Sequence, residues 1–271
     1  MFRYKIFSSA VVVGALLMNT DSAAANEEVH RPPVIAGQQA DQYYDPQEMA
    51  EKRREIKKAM GGQKTYLLQF DRFELQSHNG EDNLVLDGQA WYGGDINKFW
   101  VKTEAELNLD SGAVEEAEVQ ALWSRAVSPF WDVQAGLRHD FKPDGLDHLV
   151  LGVQGLAPYW FEVDAAAFLS TDGDLTASAE LEYDFLLTQR LILQPRAEIG
   201  FSFQDIAKQE TGAGFTSLSA GVRLRYEVKR EFAPYVGIEW QRKLGGTADF
   251  ARAAGEDVGR TVLVAGIRAW F

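Results

Sequence analysis

Lys98–Leu109, KFWVKTEAELNL, is the stretch whose reading decides the fold. At period two, Phe99, Val101, Thr103, Ala105, Leu107 and Leu109 fall on one side. Lys98, Trp100, Lys102, Glu104, Glu106 and Asn108 fall on the other. The pattern is a β-strand with one apolar and one charged face. A soluble sandwich also alternates, but its apolar faces form the inside and its polar faces meet water. Here the charged faces recur from segment to segment and are rich in carboxylates. A shared aqueous interior with an apolar exterior is the simpler account.

The outward sets repeat along the chain. Ala117, Val119, Ala121 and Trp123 form one, and Trp131, Val133, Ala135 and Leu137 the next. Phe161 to Leu169, Leu175 to Phe185, Leu191 to Phe201 (with Pro195 among them), Leu218 to Tyr226 and Val236 to Trp240 follow. Less regular segments lie near 65–76, 83–93 and 147–157. The total is about twelve strands, even as bacterial barrels require. The expected fold class is all-β: a transmembrane antiparallel β-barrel over residues 63–271, with a short N-terminal helix. Connections at Gly93-Gly94-Asp95, Val127-Ser128-Pro129, Ala157-Pro158, Leu187–Arg190 and Lys229–Phe232 are tight. Those at 140–148, 203–214 and 244–260 read as longer, extracellular loops. Tyr92, Phe99, Trp123, Trp131, Phe161, Phe185, Tyr226 and Phe271 share the tight-turn end, as an aromatic girdle does. The last strand, Thr261–Phe271 (TVLVAGIRAWF), resembles a bacterial outer-membrane barrel's closing strand. In such barrels the terminal aromatic belongs to the signal read by the insertion machinery. It is expected to pair with the first strand, whose pattern is the least regular.

The remaining composition narrows the class. The chain has no cysteine, so no disulfide framework or thiolate metal site is available. A formal charge of -13 argues against a nucleic-acid partner and favours cations. No apolar run inside the chain is long enough for a membrane-spanning helix. Arg3 and Lys5, the apolar run Phe7–Met18 and Ala23-Ala24-Ala25 have the order of a secretory signal peptide, residues 1–25. Residues 26–44 form a polar lead. Residues 45–62 read as a basic helix capped by Asp45 with Pro46 in its first turn, periplasmic or docked against an acidic lumen or mouth.

The register also assigns the lumen. Its acidic path consists of Glu104, Glu106, Glu116, Glu118, Asp132, Glu162, Asp164, Glu180, Glu182 and Asp184, with Asp87, Glu198, Glu227 and Glu239 also inward. Lys98, Lys102, Arg138, Arg196, Arg223, Arg225, Lys243 and Arg268 are the inward bases. Acids outnumber bases, leaving a negative surplus after pairing.

Several strings carry a more specific signal. DQYYDPQEM (Asp41–Met49) leads through the basic helix to DRFE (Asp71–Glu74) and DGQAWYGGDINKFW (Asp87–Trp100). EAEVQALWSRAVSPFW (Glu116–Trp131), LGVQGLAPYWFEVDAA (Leu151–Ala166) and EYDFLLTQRLILQPRAE (Glu182–Glu198) follow. Together they resemble the copper resistance protein B family, outer-membrane barrels of Gram-negative copper-resistance systems. The resemblance covers about residues 41–271. It implies copper ion as bound or transported cargo rather than a catalytic cofactor. It also implies an outer-membrane location with both termini periplasmic, contact with outer-membrane lipid, and periplasmic copper proteins as partners. Family members commonly carry a Met- and His-rich leading segment, whereas Asn26–Ala40 holds only His30 and no methionine.

The candidate copper ligands are Met49, within the family-like string, and His78, His139 and His148, expected to meet at the outer mouth. Thioether suits Cu(I) and imidazole either oxidation state. Met60 reads as an apolar anchor. The alternative is a general cation-selective channel without a dedicated copper site. An outer-membrane acyl hydrolase would need a serine beside His139 on the lipid face, and none stands in the adjoining strands, so a non-enzymatic protein is expected.

Overall fold

The computed structural model describes residues 39–60 and 62–271. The expected signal peptide, and the lead as far as residue 38, lie outside the described residues. The chain falls into two compact units divided between Lys57 and Lys58.

A short 3-10 turn, Gln39–Gln42, precedes α1 (Pro46–Met60), most of which belongs to the first unit. Asp45 caps α1: its Oδ1 accepts hydrogen bonds from the backbone N–H of Gln47 at 2.7 Å and Glu48 at 3.1 Å. Arg53 binds both carboxylate oxygens of Asp41, tying the turn to the helix.

The second unit is a closed antiparallel β-barrel. Its strands are β1 (Thr65–His78), β2 (Glu81–Gly93), β3 (Asn97–Asn108), β4 (Val114–Ser128), β5 (Trp131–Lys142) and β6 (Leu146–Ala157). The circuit continues through β7 (Phe161–Ser170), β8 (Leu175–Glu182), β9 (Phe185–Leu186), β10 (Leu191–Ser202), β11 (Gly214–Tyr226), β12 (Phe232–Lys243) and β13 (Gly259–Trp270). Each long strand pairs with its sequence neighbour, and β13 pairs with β1 to close the sheet. Segments β8 and β9 lie end to end along β10, so the thirteen segments make a twelve-stranded barrel. The break falls opposite Pro195, which has no N–H to donate to that ladder; only its carbonyl serves, accepting from Tyr183 N–H at 3.2 Å.

The seam owes its irregular sequence to a β-bulge. The register of β1 shifts between Phe70 and Arg72 against β2, and between Phe70 and Phe73 against β13. Before the bulge Tyr66 and Leu68 are exposed on the outside; after it Phe73 and Leu75 are. Asp71 and Arg72 therefore both point inward, as the extra residue of a bulge requires. Beyond it Glu74 and Gln76 are buried in the interior. At the other end of the seam Leu68 and Phe271 exchange two backbone hydrogen bonds, at 2.8 and 3.1 Å.

The tight turns lie where the sequence places them. The expected loop 140–148 does not form. Strands β5 and β6 run on to Lys142 and from Leu146, leaving residues 143–145 as the turn. Two connections at that end are long. Residues 203–213 hold a 3-10 turn, Ala207–Gln209, and residues 244–258 hold α2 (Gly245–Ala254). They pack together: Ile206, Ala248 and Ala251 are buried, and Gly212 N–H donates to Thr247 Oγ1 at 3.0 Å. Gly212 has no room for a side chain, since a Cβ would stand 2.4 Å from Gly246 Cα. At the opposite end Tyr92, Phe99, Trp123, Phe185, Tyr226 and Phe271 are exposed, forming the girdle.

Candidate functional site: the charged lumen

The inward faces enclose a cavity of about 840 Å³. One wall is apolar: Trp100, Leu122, Val150 and Phe168 pack together inside the barrel, with Trp91 and Ala166 against them. The remainder is charged. Eleven carboxylates line the cavity: Asp71, Asp87, Glu104, Glu116, Glu118, Asp132, Glu162, Asp164, Glu180, Glu182 and Glu198. Four bases accompany them: Arg72, Lys102, Arg138 and Arg268. Eight of the ten acids of the expected path are among the eleven. Asp184 lines a second cavity of about 360 Å³ at the tight-turn end, with Arg225, Glu227, Arg230 and Arg268. Glu106 is held by Asn83 Nδ2 at 2.6 Å and Arg260 Nη2 at 3.4 Å.

Most of these acids are partnered by bases from other strands. Arg72 reaches Asp87 at 3.1 Å and Glu104 at 2.7 Å. Arg196 gathers Glu180, Glu182 and Glu198 within 3.5 Å. Arg223 joins Glu74 and Glu239, each at 2.7 Å. Lys98 meets Asp132 at 2.7 Å, Lys102 meets Asp164, and Arg268 meets Asp71 at 3.2 Å. Glu104 faces Glu118 and Glu106 faces Glu116 directly across β3 and β4. Like charges directly opposite repel, so this arrangement costs stability and attracts cations. Among the described residues Glu116 and Glu162 have no ion-pair partner. Asp71, Glu74 and Asp140 are interior acids that the alternation pattern missed. The first two sit on the bulged strand, where period two loses its phase. Asp140 sits in what read as a loop.

The histidines do not converge. His139 and His148 belong to neighbouring strands but face opposite ways, because Arg138 pairs with His148 and His139 with Asp147. His139 is on the outside, 2.7 Å from Asp147 and edge-on to Phe141. His148 is inside and 8% exposed; its Nε2 lies 2.9 Å from Asp140, and its Nδ1 is buried without a hydrogen-bond partner. Asp140 also receives Arg138 Nε, and Arg138 reaches Glu118 at 2.6 Å. His78 ends β1, its Nδ1 2.7 Å from the Thr261 carbonyl. Thus the expected cluster of His78, His139 and His148 at the outer mouth is not formed, since adjacent ladder positions alternate faces. Among the described residues no group of three or more His, Asp or Glu side chains has the geometry of a metal site. Met49 lies half-buried in the first turn of α1, apart from any histidine in sequence.

Comparison with known proteins gives this lumen a context. Residues 64–271 match the family model described as "Copper resistance protein B precursor (CopB)". Copper resistance protein B of Escherichia coli is 42% identical over 207 residues, which cover 76% of this chain and 69% of that one. The Copper resistance protein B homolog of Pseudomonas syringae pv. tomato is 45% identical over 202 residues, covering 74% and 68%. Among solved structures, the NanC porin is 10% identical with a TM-score of 0.49, over 76% of this chain and 99% of that one. The KdgM porin is 12% identical with a TM-score of 0.45, over the same shares. By the family model and by two relatives above 40% identity, the chain belongs to the copper resistance protein B family.

Proposed function

We propose that this barrel binds copper ions and passes them across the outer membrane through its lumen, as a non-enzymatic member of a copper-resistance system. The observation that carries the reading is the surplus of carboxylates around one cavity: eleven stand against four lining bases and the Lys98 and Arg196 that pair with them, and Glu116 and Glu162 hold no base among the described residues. Such a lining concentrates cations through the field of the unpaired surplus. Glu116 and Glu162 are the acids best placed to meet an ion. His148 is the best histidine candidate, because Nδ1 is free while Asp140 fixes the ring through Nε2. Met49 is a soft-ligand candidate on α1, and His78 and His139 are candidates at separate positions. Both termini are assigned to the periplasm, where periplasmic copper proteins would exchange ions with the inner mouth.

The lack of a converged metal site among the described residues favours a second reading, a cation-selective channel without a dedicated copper site. Flux from proteoliposomes separates the two. Copper flux well above sodium and calcium, reduced by His148→Ala, supports the copper path. Equal rates for all three ions would replace it with the general channel.

A further inference from the structure

The main cavity and the smaller one at the tight-turn end have two lining residues in common, Gln69 and Arg268. They stand on the two strands of the seam, β1 and β13. An ion crossing the lumen from one cavity to the other therefore passes Arg268. A fixed guanidinium at such a point opposes a cation. A cation path needs that charge to move aside.

The hold on Arg268 is slight. Among the described residues its ion-pair partner is Asp71 alone, through a contact of 3.2 Å from Nη2 to Oδ1. Arg196, by contrast, is fixed by three acids within 3.5 Å. Asp71 is an inward acid supplied by the β1 bulge, and it is held independently of Arg268. Gln69 Nε2 donates to its Oδ1, and Gln89 Nε2 donates to its Oδ2 at 2.6 Å. Departure of Arg268 thus leaves a hydrogen bond on each carboxylate oxygen, which keeps the cost low.

A second seat lies in the smaller cavity, which Asp184 and Arg268 line together. Asp184 Oδ2 accepts from Arg225 Nη2 at 2.6 Å. Its Oδ1 is buried and without a hydrogen-bond partner among the described residues. An unpaired buried carboxylate oxygen is costly, so a guanidinium arriving there regains what it gives up at Asp71.

We infer that Arg268 is a switching residue that sets the conductance of the lumen by moving between Asp71 and Asp184. On Asp71 it stands where the two cavities join. On Asp184 it satisfies the unpaired oxygen and frees Asp71 for the passing cation. Each ion that takes Asp71 replaces the charge that the arginine removes, so the balance at that carboxylate is kept. The inference rests on the reading of the lumen as an ion path.

Planar-bilayer recording of the full chain in potassium chloride tests it, since potassium reports the passage whichever ion the lumen prefers. Arg268→Gln should raise the mean conductance about two- to fivefold, the usual worth of one partly exposed ion pair expressed as a ratio. Asp184→Asn removes the second seat and should lower the conductance by about the same factor. In the Arg268→Gln background the Asp184→Asn change should have little effect, because no guanidinium remains to be seated. Conductance unchanged by Arg268→Gln overturns the switch, as does an equal effect of Asp184→Asn in both backgrounds. Heat-modifiable mobility on gels verifies that each variant is folded. Potassium currents that follow this pattern, with equal liposome flux of copper, sodium and calcium, would remove the copper reading and leave the switch standing. Silent membranes for the parent and every folded variant overturn both.

Discussion

Glu74 and Arg223, 149 residues apart in sequence, form a two-pronged ion pair inside the barrel. Arg223 Nε and Nη2 donate to the two Glu74 carboxylate oxygens at 2.7 and 3.0 Å, and Glu74 is 0% exposed. The two residues stand on β1 and β11, with β12 and β13 between them in the sheet. The pair therefore bridges the closing seam from within. Removing Glu74 alone leaves the buried Arg223 guanidinium with Glu239 as its one carboxylate, and Glu74→Ala should cost about 1–3 kcal/mol. Glu74→Ala with Arg223→Leu should cost more than the single change, because it leaves the buried Glu239 carboxylate without its base. Urea unfolding in lipid, followed by tryptophan fluorescence, gives both numbers; a single variant as stable as the parent would show that water replaces the pair.

Gly266 sits on β13 beneath the Tyr235 ring. A Cβ there would lie 2.6 Å from the Phe73 carbonyl oxygen and 2.7 Å from the Tyr235 hydroxyl. Gly266→Ala should therefore destabilise the barrel by about 1–3 kcal/mol through overpacking. Tyr235→Ala in the same chain should recover only part of this, since the backbone contact remains. The midpoint of the same unfolding curve is the test.

Glu116→Gln and Glu162→Gln should lower cation selectivity without loss of folding, because among the described residues neither acid holds a base in place. Each change removes one charge from a shared field, so the shift in reversal potential should be modest singly and larger together. Planar-bilayer recordings under a salt gradient measure it. Unchanged selectivity in the double variant would locate the ion path elsewhere.

The Arg53 guanidinium holds the Asp41 carboxyl below its ordinary value, mainly through their hydrogen bonds. A depressed carboxyl contributes stability above its unfolded pKa, near 3.8, and loses it as pH falls through the lower folded value. The turn should thus stay fastened to α1 at pH 5–7 (about the range where carboxylates are ionised) and loosen only in stronger acid. Amide exchange at Tyr43 and Tyr44, whose N–H groups both donate to the Ala40 carbonyl at 3.0 Å, reports the fastening. Asp41→Asn should speed that exchange across the whole range.

The alternation of Lys98–Leu109 by itself determined a strand with a lipid-type face and a charged face. Repetition of that period determined a closed antiparallel barrel of about twelve strands, and the strings from Asp41 to Glu198 carried the family. Most of the lumen's acids were legible for the same reason: a period of two assigns every second residue to one side. Tertiary structure decided what that period cannot carry. The bulge at Asp71 and Arg72 is set by pairing to both neighbours, and it turned Glu74 into a buried interior acid. Ladder pairing through Asp140 and Asp147 removed an expected loop and put His139 and His148 on opposite faces. Which base meets which acid depends on strands distant in sequence, as in Glu74 with Arg223, and a local pattern holds no record of those distances.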